Sequence, residues 1–372
     1  MNTSKALPYV LLIIATIIWG SNFALVRAIA SEVPPLTLAY LQWVVAVVIF
    51  LPFVWKEMAA NRQILTDSWK SLLLMGITGV AAFTALIYLG LPPYTVWIVG
   101  PDFISHFHPV FTINESIVNT ITPLIIIVLS YFFLKEQITC NQLLGLILSI
   151  SGVFLVLHHH TWGELSFNIY DLIVFVTAIL WGVYSIIVKY NSGRIPLCSS
   201  LAISMVIGMF ILLPFSLWEI FIDGQMLFLS ISSIASIAYL GIFASIVAFL
   251  SWNKAVSLIG PGKAAIFLSL VPIFTIISSN QLIFAYIFPV FSIVAIIIVA
   301  IVAYVSIFAY IFTFFSWNKV VSLTGILLSL VLFFTIIFGG ILPWYQIAGI
   351  ILVVTGIYLF TRVPIASSPS DL

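Results

Sequence analysis

A series of apolar runs, each about 17 to 25 residues long and separated by short polar breaks, constrains this chain most strongly. A helix of that length spans the roughly 30 Å hydrocarbon core of a bilayer, whereas a barrel strand needs only about 9 to 11 residues. Only 6% of the residues are charged and 63% are hydrophobic, so a water-soluble fold would lack polar side chains to cover its surface. The sequence therefore predicts an all-α polytopic membrane protein embedded in the lipid bilayer.

About twelve membrane-spanning helices are predicted from these runs. The first run imitates a signal peptide, because Lys5 precedes it and AIA follows at 28–30, but its length and Arg27 favour a retained helix. The predicted spans are Ala6–Val26, Leu36–Trp55, Ser71–Leu91, Ser116–Leu134, Leu143–Leu157, Leu172–Val188, Leu201–Ile220, Ile231–Leu250, Ala264–Ser278, Tyr286–Phe315, Val320–Ile341 and Gln346–Phe360.

Lysine and arginine positions predict the orientation of these helices, because positive residues are retained on the cytoplasmic side. With a cytoplasmic amino terminus, eleven of the 12 basic residues fall inside and only Arg27 falls outside. A single crossing by Tyr286–Phe315 preserves this asymmetry, whereas two crossings would place Lys319 and Arg362 outside. We therefore expect both termini to be cytoplasmic, in a bacterial-type inner (plasma) membrane.

Two pairs of matching segments indicate that the chain has related halves. Trp19–Arg27 (WGSNFALVR) matches Trp181–Lys189 (WGVYSIIVK), and Asn141–Leu157 matches Tyr345–Thr361. The longer pair shares one glutamine and two glycines: Gln142 with Gln346, Gly145 with Gly349, and Gly152 with Gly356. Five predicted spans separate the two Trp-Gly motifs, and an odd number turns the second copy upside down. Inverted repeats of this kind are typical of secondary transporters, which bind substrate between the halves.

A second, shorter repeat lies within the carboxy-terminal half. Ser251–Gly260 (SWNKAVSLIG) nearly coincides with Ser316–Gly325 (SWNKVVSLTG), and the apolar segments that follow also match. We interpret residues 275–334 as a duplicated helix pair. Because two crossings are added together, everything downstream keeps its orientation.

Four segments of the chain resemble the EamA domains of the drug/metabolite transporter superfamily: IIWGSNFALVRAIASEVPPLTLAYLQW, NTITPLIIIVLSYFFLKEQIT, LLGLILSISGVFLVL and WYQIAGIILVVTGIYLF. The resemblance implies two inverted five-helix domains around a central cavity, at residues 6–160 and 170–362, before a polar tail at 363–372. It also implies a permease or exporter of small metabolites, amino acids or drugs. The chain departs from the family pattern in an extra stretch at 96–112, in the duplicated pair, and in lacking a second-half counterpart of Glu136.

The resemblance also implies that several aromatic and polar side chains line the central cavity and bind substrate. These candidates are Trp19, Asn22, Tyr40, Gln42, Trp43, Tyr88, Trp181 and Tyr184. Tryptophan and tyrosine also form belts at the membrane interfaces, and this alternative stays open for each of them.

Charged groups at membrane depth are costly, so each one is a functional candidate. Glu115, Asn119 and Thr122 have the spacing that brings residues to one helix face. Asn119 and Thr122 are therefore substrate-binding candidates, and a desolvated Glu115 is a candidate for proton coupling. Alternatively, Glu115 is hydrated among the external headgroups. Arg27 could hold a substrate carboxylate or extend to the interface.

An alternative interpretation is a multi-spanning membrane enzyme acting on a lipid or isoprenoid. Its external catalytic cluster would be Asp102, His106 and His108. We expect no metal at this cluster or at His158–His160, and no cofactor, since no phosphate-binding or metalloprotease motif occurs. The inverted repeat favours a transporter rather than an enzyme. The expected partners are a small-molecule solute and the bilayer, not nucleic acid, and the pattern carries no prediction of oligomeric state.

Overall fold

The computed structural model describes residues 6–90, 110–157, 169–278 and 344–361, and no β-strand occurs among them. Within each of these ranges that holds more than one helix, short connections join the helices. The helices are α1 (Leu7–Ile29), α2 (Pro35–Ala60), α3 (Arg62–Asp67), α4 (Trp69–Leu89), α5 (Val110–Leu134), α6 (Cys140–Leu157), α7 (Ile169–Asn191), α8 (Leu197–Phe221), α9 (Ile231–Ile259), α10 (261–278) and α11 (Trp344–Thr361).

Every predicted span within the described residues overlaps one of these helices. Five of the helices, α1, α2, α4, α8 and α9, are long and apolar enough to cross a membrane. The largest boundary error is in α9, which was expected to end at Leu250 and continues to Ile259. The predicted spans Tyr286–Phe315 and Val320–Ile341 lie outside the described residues.

The helices pack as a bundle with its largest buried side chains at the centre. In this bundle α1 packs against α9 and α10, α2 against α8, α5 against α7, and α6 against α11. Trp43, Trp252, Tyr88, Tyr184 and Phe267 are each less than 2% exposed. Many large apolar side chains remain exposed on the outer faces, such as Phe53 on α2 at 83%. Lipid accepts such a surface as readily as a protein interior does.

Both α4 and α9 contain a π-helical segment, at Gly76–Ala81 and Leu240–Val247 respectively. Such segments are rare and occur often at functional sites. Each one carries a glycine that meets a neighbouring helix: a Cβ on Gly76 would collide with α8, and a Cβ on Gly241 would collide with α2. The π segments therefore lie where α4 and α9 approach α8 and α2 most closely.

Two carboxylates join α2 and α8 at opposite ends of the pair. Near the end of α8, Glu219 accepts hydrogen bonds from the backbone N–H groups of Leu36 and Thr37 at 3.2 and 2.7 Å, and from the Thr37 hydroxyl at 2.8 Å. Near the end of α2, Glu57 accepts from the N–H of Ser199 at 3.0 Å and from its hydroxyl. The first N–H groups of a helix have no partner within it. Each glutamate therefore caps the start of the helix that faces it.

A third carboxylate caps α10. Gly260, with φ +85°, ends α9, and Pro261 starts α10 immediately afterwards. The Glu136 carboxylate accepts the N–H of Gly262 at 3.2 Å and fills the space that a Cβ on Gly260 or Gly262 would need. Burial raises the pKa of Glu136, while this N–H and the positive charges of Lys189 and Lys263 oppose the rise. The Gly-Pro-Gly sequence thus makes room for a half-buried acidic cap.

Glycines also determine how α6 and α11 meet. The position of a Cβ on Gly145 lies against the carbonyl of Gly356, and that of a Cβ on Gly152 lies against the carbonyl of Gly349. Since residue numbers rise along one helix as they fall along the other, the pair is antiparallel. Small residues allow such close backbone approach between membrane helices.

We expect Glu219→Ala to lower the free energy of unfolding by about 1–3 kcal/mol, because buried donors at the start of α2 lose their acceptor. Glu219 is only 4% exposed, so water cannot readily replace it. Thermal unfolding of the purified chain in detergent measures the effect. The matched control is Asp223→Ala, which removes an exposed carboxylate four residues away. Equal stabilities of the two variants would contradict the capping role.

Candidate functional site

A cavity lies among α1, α2, α4, α5, α7, α9 and α10. It holds about 780 Å³ of space not filled by protein atoms, including the part that opens to solvent. Among the described residues, no charged side chain lines it. Aromatic rings, aliphatic side chains and a few amide and hydroxyl groups form its wall, which is the composition typical of sites for small organic ligands.

Six of the residues predicted to bind substrate line this cavity: Trp19, Asn22, Gln42, Tyr88, Thr122 and Trp181. The structure thus brings them together, although their role in binding stays a prediction. Trp43 and Tyr184 are fully buried beside the cavity rather than in its wall.

The other predicted site residues lie elsewhere or outside the described part. Tyr40 is half-buried and packs against the core without lining the cavity. Arg27 lies in the last turn of α1, away from the cavity wall. Glu115 and Asn119 belong to α5, but their side chains lie outside the described residues.

Four aromatic side chains of the cavity, Trp19, Phe83, Trp181 and Phe249, form one contiguous cluster. Trp19 and Trp181 meet edge to face with ring centroids 5.2 Å apart. Phe83 lies 4.7 Å from Trp181, and Phe249 lies 5.4 Å from Trp181 and 5.2 Å from Trp43. Edge-to-face pairs of this kind hold aromatic rings in a defined geometry. The wall around Trp181 is therefore preformed.

A chain of hydrogen bonds runs along one side of the cavity. The Tyr88 hydroxyl donates to Gln42 Oε1, and the Asn22 side chain lies beside that hydroxyl. Gln42 Nε2 donates to Ser245 Oγ at 2.7 Å, and Ser245 donates to the carbonyl of Leu240 at 2.9 Å. This last bond lies inside the π segment of α9. The network therefore ties the cavity wall to α1, α2, α4 and α9.

A second tyrosine–asparagine pair lies beyond the aromatic cluster. The Tyr184 hydroxyl is 3.0 Å from Asn253 Oδ1 and 2.8 Å from its Nδ2. The Tyr184 ring stacks on Trp181 at 5.1 Å. Asn253 is 1% exposed and was missed by the sequence reasoning. The available signal was its position as a polar residue in the repeated Ser-Trp-Asn-Lys motif.

Within the described residues, no group of His, Cys, Asp and Glu side chains is placed to hold a metal ion. The two histidine-containing clusters considered from the sequence, Asp102 with His106 and His108, and His158–His160, lie outside those residues. The site is therefore described by its aromatic, amide and hydroxyl groups.

Comparison with known proteins agrees with this architecture. The chain matches the EamA-like transporter family over residues 6–114, 112–158 and 168–301. It is 27% identical over 278 residues to the Bacillus subtilis protein called uncharacterized transporter YyaM, covering 73% of this chain and 84% of that protein. It is 25% identical over 281 residues to an uncharacterized transporter of Archaeoglobus fulgidus, covering 74% and 89%.

One solved crystal structure shares the fold, with a TM-score of 0.62 over 95% of this chain and 97% of that chain, at 14% identity. The family resemblance seen in the sequence is confirmed by the family match, which covers more than half of the chain. The chain belongs to the EamA-like transporter family and is a multi-pass membrane transporter of small solutes.

Proposed function

We propose that the chain is a secondary transporter of small organic metabolites, amino acids or drugs, and that it works by alternating access around the cavity. The observation that carries this proposal is the reciprocal capping of α2 and α8. Thr37 and Ser199 are 162 residues apart, and so are Glu57 and Glu219 (199 − 37 and 219 − 57). The same interval separates the two Trp-Gly motifs (181 − 19). Exchanging the halves therefore exchanges one capping contact for the other.

The packing of α6 on α11 supports the same relation. The sequence repeat equates Gly145 with Gly349 and Gly152 with Gly356. Gly145 contacts Gly356, and Gly152 contacts Gly349, so exchanging the halves turns each contact into the other. A two-fold relation requires this self-complementarity. It supports two inverted five-helix repeats at residues 6–160 and 170–362.

In our proposal, each of the two tyrosine–asparagine pairs closes the cavity on one side of the membrane. Asn22 and Tyr184 are 162 residues apart, so they occupy equivalent positions in the two halves (184 − 22). Tyr88 and Asn253 are 165 residues apart, which is the interval between Gly76 and Gly241 of the two π segments (253 − 88 and 241 − 76). With a cytoplasmic amino terminus, Asn22 and Tyr88 lie nearer the outside, and Tyr184 and Asn253 nearer the cytoplasm. In our proposal each pair separates when its side of the cavity opens, as one half rocks against the other.

We also propose that the protein crosses the inner (plasma) membrane about twelve times, with two crossings from the duplicated pair. Both termini then lie on the cytoplasmic side. The eleven-to-one distribution of basic residues supports this orientation. Tags on both termini should therefore be reachable from the cytoplasm alone, and a reporter near Asp102 from outside alone. A carboxyl-terminal tag exposed outside would contradict the span count.

Counterflow into proteoliposomes tests the transport function directly. The purified chain is screened against amino acids, nucleosides and dyes, and we expect saturable exchange of at least one solute. Thr84→Trp should reduce that exchange at least tenfold, because the larger side chain occupies the volume that the solute needs, and overpacking of a filled space is costly. Val48→Trp, on a face of α2 that is 66% exposed, should leave it unchanged. Equal loss in both variants, or no exchange of any solute, would contradict the proposal.

Proton coupling through Glu115 is a further part of the proposal. Glu115 precedes Thr122, a cavity residue, by two turns of α5, so the two share a helix face. Glu115→Gln should abolish transport driven by a pH gradient while exchange persists, because exchange does not require release of the proton. Unchanged gradient-driven transport in this variant would show that Glu115 does not couple protons.

A further inference from the structure

Two cavity-lining side chains carry a buried polar atom that has no hydrogen-bond partner among the described residues. One is Trp181 Nε1, an N–H group that can only donate, on a side chain that is 3% exposed. The other is Asn22 Oδ1, a carbonyl oxygen that can only accept. Both residues line the same cavity. Since buried polar atoms are usually hydrogen-bonded, such a donor and acceptor need an explanation.

The unpaired donor sets Trp181 apart from the tryptophans around it. Trp19 Nε1 donates to the carbonyl of Ala244 at 3.2 Å. Trp43 Nε1 donates to the Thr84 hydroxyl at 3.1 Å, and Trp252 Nε1 donates to a serine hydroxyl of α7 at 3.2 Å. The fold therefore provides acceptors for the neighbouring indoles, whereas Trp181 lines the cavity and its N–H has no acceptor in the described part of the chain.

The hydrogen-bond chain determines which atom of Asn22 is left over. Ser245 donates its hydrogen to a backbone carbonyl, so its oxygen accepts from Gln42 Nε2, which leaves Gln42 Oε1 to accept from Tyr88. The Tyr88 hydroxyl has given its only hydrogen to Gln42. The Tyr88 oxygen can then only accept from the neighbouring Asn22 side chain, and the Asn22 amide N–H is the group that can donate to it. The Asn22 carbonyl oxygen is thereby the atom that remains for a ligand.

We propose that the cavity selects uncharged, planar solutes carrying a hydrogen-bond acceptor next to a hydrogen-bond donor, as carboxamides and nucleobases do. The acceptor would pair with Trp181 Nε1 and the donor with Asn22 Oδ1. The rings of Trp19, Phe83 and Phe249 provide a wall against which a planar ligand packs. No charged side chain lines the described cavity, so an ionised solute would lose its hydration without gaining a counter-charge. This inference rests on the proposed transport function and names its substrate class.

Equilibrium binding to the purified full-length chain in nanodiscs tests the inference with matched probes. Nicotinamide and uracil carry both groups. The analogues 3-acetylpyridine and 1,3-dimethyluracil keep the acceptors and lack the donors, nicotinate is an anion, and 1-methylnicotinamide is a permanent cation. We expect saturable binding of nicotinamide or uracil, about tenfold tighter than that of its donor-free analogue, as the loss of one buried hydrogen bond implies. Both ions should bind more weakly than nicotinamide.

Two variants test separately the ligand's proposed hydrogen bonds with Asn22 Oδ1 and with Trp181 Nε1. Asn22→Leu should weaken the amide-containing probe about tenfold and leave its donor-free analogue nearly unchanged, so that the preference disappears. Trp181→Phe should weaken both to a similar extent, because both carry the acceptor. The control Trp252→Phe makes the same change at a buried indole outside the cavity wall, and Asn61→Leu makes the same change at the end of α2. Both controls should keep the wild-type preference.

The inference is overturned if neither nicotinamide nor uracil binds, if donor-free analogues bind equally well, or if either ion binds more tightly than nicotinamide. It is also overturned if Trp252→Phe or Asn61→Leu removes the preference. Counterflow of any solute by the same preparation separates these outcomes from failure of the transport proposal. A chain that exchanges charged solutes and ignores the neutral probes is a transporter with another substrate class.

Discussion

The bilayer core contains no water to satisfy backbone polar groups, and this constraint governs the rest of the structure. Helices satisfy the groups in their interiors, but the first N–H groups of each helix need other acceptors. Here three glutamates, Glu57, Glu136 and Glu219, accept hydrogen bonds at the starts of α8, α10 and α2. A chain with only 11 acidic residues thus uses three of them to complete helix ends. All three also join the proposed halves to each other.

The same constraint explains why the polar groups of the cavity form a connected network. The π segments of α4 and α9 disturb the regular helical hydrogen bonding, and side chains compensate. Thr78 donates to the carbonyl of Leu74 at 2.7 Å, and Ser245 donates to that of Leu240. Through Gln42, the Ser245 hydroxyl continues into the cavity wall. Backbone irregularity, helix packing and the candidate site are therefore parts of one arrangement.

Hydropathy predicted the membrane class and the approximate spans. The family resemblance implied five of the residues that line the cavity, and helical spacing added Thr122. They could not predict which way each helix faces, because lipid and protein interior both accept apolar side chains. Tyr40 was therefore assigned to the cavity wall although it does not line the cavity. The end of α9 was misplaced because Asn253 and Lys254 look like a polar break. In the fold, Asn253 is buried against Tyr184 inside the bundle, and the helix continues to Ile259.

The central claim, that one cavity between two inverted halves opens to each side in turn, is tested most directly by a single cysteine in its wall. Ala178 lines the cavity and is 2% exposed, and the free cysteines Cys140 and Cys198 can be replaced by serine. Ala178→Cys in that background is treated with a membrane-impermeant thiol reagent in right-side-out and in inverted vesicles. Alternating access predicts labelling from both sides, with a bound solute slowing both reactions. Labelling from one side alone, with and without solute and under either direction of the pH gradient, would contradict the account.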